Sequence, residues 1–196
     1  LGQGILVRDP SPSIYLLEQE YGLRSDIFGA INSSLGQGKP LHRRGFIALL
    51  QLEEFSKGII RPHEATMAEP KRDRLNLIRA CRANFCQVFT TYEDLENIFD
   101  RVWERKIDDV PLIDITEEEN IRHRLWRIDD EKTVRFIVEG MRDKRLFIAD
   151  GHHRYESALE YRNEMRKSHP EDPTSEAYNY VMSYFVNMEG GGLKIL

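Results

Sequence analysis

The chain is short of several things, and each shortage narrows what it can be. Only two cysteines occur, Cys81 and Cys86. No zinc-ligand spacing surrounds them, and nothing suggests a secreted disulfide scaffold. They read as reduced core thiols, because a free cysteine packs as a small hydrophobe. No apolar run is long enough to span a bilayer. No basic-then-apolar leader opens the chain. Positive charge is scarce too: 28 Lys and Arg stand against 33 Asp and Glu, for a net charge of -5. Proteins that live on nucleic acid carry a basic face, so nucleic acid is not the expected partner, nor is a membrane. The expected compartment is the cytoplasm. A starting methionine is also missing. Leu1 falls in what reads as a loop, and Leu196 closely follows Gly190-Gly191-Gly192. The chain is therefore expected to be a piece of a longer one, with truncated termini.

Apolar residues make up 40% of the chain, enough for the core of one domain over residues 1–196. The β-rich, partly alternating stretch Ile14 to Tyr21 predicts a strand. Gly22 to Pro40 is polar, carries Gly29, Gly36 and Gly38, and predicts a mobile loop that could act as a lid. Gly45 to Glu53 predicts a central strand that pairs with the first across that loop. Pro70 suits a first helical turn. Leu75, Ile78 and Cys81 then give a helical face over Arg72 to Ala83.

Gln87 to Thr90 predicts a short strand. Leu95, Ile98, Phe99, Val102 and Trp103 form an apolar stripe, which predicts a helix over Asp94 to Glu104. Leu112 to Ile115 and Ile121 to Ile128 predict a hairpin around the acidic turn Glu117 to Asn120. Asp129 or Asp130 is placed to cap a helix carrying Val134, Ile137, Val138 and Met141. Leu146 to Ala149 predicts a buried strand, Gly151 opens a helix, and Tyr178 to Met188 predicts a last strand. Strands and helices mix without strict alternation, so the expected class is α+β.

The stretch that carries chemistry is "LFIADGHHRYESALEYR", Leu146 to Arg162. A strand ends and a helix begins at Asp150-Gly151-His152-His153-Arg154. The first N–H groups of a helix lack partners, and the helix dipole adds positive charge there, so phosphate is a natural occupant. Gly151 allows close approach of backbone to ligand. Arg154 can fork onto phosphate oxygens. His152 and His153 can donate to the same group or move protons. Asp150 can hold a metal ion that bridges phosphates, or orient a histidine. The plain alternative is that Asp150 caps the helix and the rest is a solvated helix start. His152 and His153 together make a poor metal pair, since neighbours on a helix point about 100° apart.

"ADGHHRYESAL" resembles the second conserved box of the ParB-like fold. That superfamily includes CTP-binding chromosome-partition proteins, sulfiredoxin and archaeal ADP-dependent free-serine kinases, and the kinases share the D-G-H-H-R turn. Sulfiredoxin has a cysteine where this chain has His152, so its thiol chemistry does not carry over. The partition proteins have a Gly-Glu-Arg-Arg-like box instead. "IIRPHEATMAEPKRDRL", Ile59 to Leu75, is similar to the first box of the ParB-like kinases. The resemblance implies that Glu64 is a general base for an acceptor hydroxyl, with Asp150 and His153 beside the transferring phosphate. His63, Thr66, Lys71 and Arg74 join Gly151, His152, His153 and Arg154 as candidate nucleotide contacts.

One family matches further. Gly45-Phe46, Ile59 to Leu75, Leu125-Trp126, "IADGHHRYESAL" and "YNYVMSYFVNME" occur in that order in a bacterial family known as domain of unknown function 1015. This resemblance bears on fold and implies a ParB/sulfiredoxin-like mixed sheet with packed helices. The functional expectation is a Mg²⁺-dependent kinase using ATP, ADP or CTP on a small hydroxyl compound. The alternatives are a nucleotide-gated binding or switch protein, and a structural domain whose cluster is a helix cap.

Overall fold

In the computed structural model the described residues are 9–22, 41–64, 68–118 and 120–190. The expected lid over 22–40 lies, from residue 23 on, outside them, as does Thr66. Along the chain run β1 (Ile14–Tyr21), β2 (Leu41–Gln51), β3 (Ile60–Arg61), α1 (Ala68–Cys81), β4 (Val88–Tyr92), α2 (Asp100–Lys106), β5 (Ile113–Thr116), β6 (Ile121–Ile128), α3 (Glu131–Met141), β7 (Leu146–Asp150), α4 (His152–Ser168) and β8 (Tyr180–Asn187). The class is α+β, with eight strands in mixed parallel and antiparallel pairing and four α-helices among the described residues. None of those helices is long and apolar enough to cross a membrane.

The chain forms two compact units: Leu1–Phe46 with Glu96–Arg142, and Ile47–Leu95 with Asp143–Leu196. In the first, β1 neighbours β2 on one side and pairs antiparallel with β6 on the other; β5 closes on β6 as the expected hairpin. Alternation along β1 buries Ile14 and Leu16 (Tyr21, also buried, falls out of phase with it). It also buries Glu18, an acid that cannot stay dry and charged without partners. Arg44 supplies one at 2.8 Å, and Arg124, directly across on β6, supplies another. Apolar packing centres on Trp103 against Trp126, at 5.9 Å between ring centroids, and on Phe46 against Phe99 at 5.6 Å. Asp130 caps α3 by accepting from the Thr133 N–H at 2.9 Å, and Thr133, through its side chain first and its N–H second, holds the Asp130 carboxyl below the ordinary range.

In the second unit the order is β3-β7-β4-β8. β3 is parallel to β7, β7 antiparallel to β4, and β4 parallel to β8. α1 and α4 pack together. Ser157 on α4 donates to the Lys71 carbonyl on α1 at 2.9 Å. Two buried polar side chains tie α4 to the segment after β2. The Tyr155 hydroxyl donates to the Glu53 carbonyl at 2.8 Å and accepts from the Glu53 N–H at 2.9 Å. Arg162 donates to the Leu52 carbonyl at 2.6 Å and pairs with Glu54.

Two expectations need correction. The helix predicted from Asp94 starts only at Asp100. Asn97 adopts a left-handed φ of 48°, which interrupts a helix, and Leu95 is 81% exposed. Asp94 is tied elsewhere: it exchanges hydrogen bonds with the Asn187 side chain and accepts from Lys144. The cysteines are also not core thiols. Both are free and exposed. Cys81 ends α1 just before Arg82, whose φ of 49° turns the chain away, and of the predicted face only Leu75 is buried.

Candidate functional site

Strand pairing places the two sequence motifs side by side. β3 and β7 run parallel, with Ile60 opposite Leu146 and Arg61 opposite Phe147. Their carboxyl ends therefore point the same way, the position where open sheets with parallel neighbours hold ligands. Pro62 follows β3 and lacks the N–H that would extend the pairing. His63 and Glu64 come next. On the other side β7 ends at Asp150, and Gly151 leads into α4.

The turn after β7 depends on glycine. Gly151 sits at φ 90°, ψ 30°, a region that L side chains rarely enter. A Cβ there would lie 2.6 Å from Arg154 Nε, because the Arg154 side chain folds back over the turn. Gly151 makes no side-chain cap, and the first turn of α4 carries no acid. Leading N–H groups of a helix have no partner within the helix itself, and the dipole adds positive charge at that end.

His63 folds back on β7. Its Nδ1–H donates to the Ile148 carbonyl at 2.6 Å, which fixes the ring against β7. Its backbone N–H donates to His152 Nε2 at 3.3 Å, and the two rings meet edge to face at 4.5 Å. His152 is 1% exposed. Because its Nε2 accepts, its Nδ1 carries the proton. That Nδ1 stands 3.1 Å from Glu64 Oε1, close enough for charge attraction but without the angle of a hydrogen bond. Burial first, and His63 second, hold His152 below the ordinary histidine range, so it is neutral at pH 7. Glu64 is 58% exposed at its side chain, so the carboxylate faces both the buried imidazole and solvent.

The remaining candidates divide. Asp150 is 71% exposed and pairs with Arg154 one helical turn on. A phosphate reaching Arg154 therefore competes with Asp150. His153 is partly buried in the same turn. Arg74 is exposed and shares a small hollow with Arg154. Lys71 is used differently: it pairs with Glu160 at 3.0 Å and Glu156 at 3.7 Å, clamping α1 to α4. Those bonds raise its pKa, Glu160 first.

Among the described residues, one group of side chains and the lone carboxylate of Asp150 come into question for a cation. Donor atoms of His63, Glu64 and His152 lie within 4.8 Å of one another. Ligation through His152 Nδ1 would require its proton to leave and the contact from the His63 N–H to break, which argues against that set. Asp150 fits Mg²⁺ better, since its exposed carboxylate offers the hard oxygen the ion prefers while keeping its waters. Sequence reading picked out Glu64 and His152 separately. It missed that they face each other, and that the Ile148 carbonyl orients His63; a main-chain acceptor leaves no signature in side-chain spacing.

A family model described as "Protein of unknown function (DUF1015)" matches residues 1–196. No curated protein and no solved structure matches.

Proposed function

The chain belongs to the DUF1015 family, whose description assigns no activity, and from the site itself we propose that it is a nucleotide-binding phosphotransferase of ParB/sulfiredoxin-like fold acting on a small hydroxyl compound. The nucleotide's phosphates bind the first turn of α4, with Gly151, His153 and Arg154 around them. The observation that carries this reading is the position of Glu64. A solvent-facing carboxylate lies 3.1 Å from the first residue of that helix, at the carboxyl ends of β3 and β7. A carboxylate so placed can take the proton of an acceptor hydroxyl.

The step balances simply. The hydroxyl oxygen attacks the terminal phosphorus, the bond to the bridging oxygen breaks, the shortened nucleotide leaves with that electron pair, and the proton goes to Glu64. Arg154 and the α4 N–H groups stabilise the equatorial oxygens. Asp150 would hold Mg²⁺, which when bound neutralises phosphate charge. His152 stays neutral and fills the space behind Glu64.

The test is nucleotide consumption with a panel of hydroxyl acceptors, with ATP, ADP and CTP as donors, each with and without Mg²⁺. Glu64→Gln is expected to keep nucleotide affinity and lose turnover by about 10²- to 10⁴-fold. Full turnover in Glu64→Gln would remove Glu64 as base. Tight binding with no turnover on any acceptor would turn the reading towards a nucleotide-gated switch.

A further inference from the structure

The hollow at Arg154 does not end there. Arg74 and Arg154 line it, and Ile78, Ala83 and Asn84, which also line it, are shared with a larger cleft of about 270 Å³. Tyr161, Tyr178 and Tyr180 line that cleft. Along α4 the lining residues are Arg154, Ala158, Tyr161 and Met165. These are spaced by four, three and four, so they form one stripe on one helix face. Seven residues of helix separate Arg154 from Tyr161, about 10 Å along the axis. A cleft with aromatic and small apolar walls and a few polar groups is the usual form of a small-molecule site. Successive tyrosine rings are sequence-tolerant platforms for bases. The Tyr178 hydroxyl donates to Asp172 Oδ2 at 3.1 Å, which ties its ring to the cleft's rim.

We infer that this tyrosine-lined cleft along α1 and α4 receives the base of the nucleotide, with the ribose crossing Asn84 and the phosphates at Arg154. The inference rests on the reading that phosphates bind the α4 turn. It adds the direction in which the nucleotide lies. The base points away from Glu64, which leaves the space beside Glu64 for the acceptor. Selection among bases then falls to the polar groups of the cleft, Asn84, Arg82 and Glu176.

The experiment is calorimetric titration with ATP, GTP and CTP, with the nucleoside of the tightest binder, and with inorganic tripolyphosphate, all in Mg²⁺. The proteins are wild type, Tyr161→Ala and Tyr178→Ala, each checked by thermal melting. The tightest nucleotide is expected to bind at least tenfold more strongly than tripolyphosphate. Tyr161→Ala is expected to erase that gap while leaving tripolyphosphate binding unchanged. Tyr178→Ala, in a short 3-10 turn outside α4, gives the same reading should Tyr161→Ala fail to fold. Equal affinity for nucleotide and tripolyphosphate in wild type overturns the inference, as does a gap that survives both replacements. Nucleoside binding that Tyr161→Ala abolishes, with no tripolyphosphate binding, removes the phosphate reading and keeps the cleft. No binding of any probe overturns both.

Discussion

His152 Nδ1 stands 3.1 Å from Glu64 Oε1, the imidazole buried and the carboxylate open to water. The pair explains why a histidine opens α4. The ring's Nδ1 stands beside the acid as a charge contact, while Nε2 receives the His63 N–H. Burial keeps this imidazole neutral in the folded chain, below its ordinary pKa of about 6.5. The unfolded chain takes up a proton there as pH falls through that value. Below it the unfolded state holds more protons than the folded one, so stability rises with pH and is lost on acidification. Urea unfolding at pH 7.5 and at pH 5.5 is expected to show weaker folding at the lower pH. His152→Gln is expected to flatten that difference. A variant with the wild-type pH dependence would show that other groups control it.

Tyr155 is the second test of what holds the site. Its hydroxyl satisfies both the N–H and the carbonyl of Glu53, fixing α4 against the segment after β2. Tyr155→Phe keeps the ring and strands both backbone groups. A buried donor or acceptor without a partner costs about 1–3 kcal/mol, and urea unfolding at pH 7 measures it. The titration has the opposite sign to that of His152. Burial pushes the Tyr155 phenol up to about 12. Its contribution is complete below about pH 10, the ordinary value, and is lost as pH rises through about 12. Wild type is expected to unfold in that alkaline window. Tyr15, pushed to about 12 as well, adds a component in the same sense that Tyr155→Phe retains.

Gly151 tests the turn itself. Alanine there must adopt φ 90°, and its Cβ would meet Arg154 Nε at 2.6 Å. The backbone strain is about 1–3 kcal/mol. The steric conflict falls on a flexible side chain, so Arg154 moves and its pairing with Asp150 breaks. Gly151→Ala is expected to lower stability by about that amount in urea unfolding, and to weaken tripolyphosphate binding. Unchanged stability would mean that the turn relaxes without strain.

How much of this was legible depends on where the information sits. The β1 strand was readable because its alternation is a local pattern, and its bounds match the prediction residue for residue. The strand–Gly151–helix turn was readable because Ala149, Gly151 and Tyr155 each suit their places locally. The late start of α2 was not readable. Leu95 completes an apolar stripe by spacing alone, yet Asp94 is held by Asn187 and Lys144, both far along the chain. The burial of His152 was hidden for a related reason. Nothing in D-G-H-H-R says which histidine turns inward; parallel pairing of β3 with β7 decides it by bringing His63 alongside. Long-range partners, not propensities, separate what could be read from what could not.

The cysteines give the last test, and it bears on the ligand as well as on the fold. Cys81 and Cys86 are exposed, so both should react with a thiol reagent in the native state, two thiols per chain and no denaturant needed. Core thiols would instead wait for unfolding. The two positions also differ in a useful way. Cys86 lines the hollow that holds Arg74 and Arg154 in its wall, and Cys81 does not. A nucleotide lying from Arg154 towards the tyrosine cleft would pass over Cys86. Saturating ATP, or whichever nucleotide binds tightest, is therefore expected to slow labelling of Cys86 severalfold and leave Cys81 unchanged, read by mass spectrometry of the digested chain. Equal protection of both would indicate general tightening of the fold, and protection of neither would place the nucleotide elsewhere.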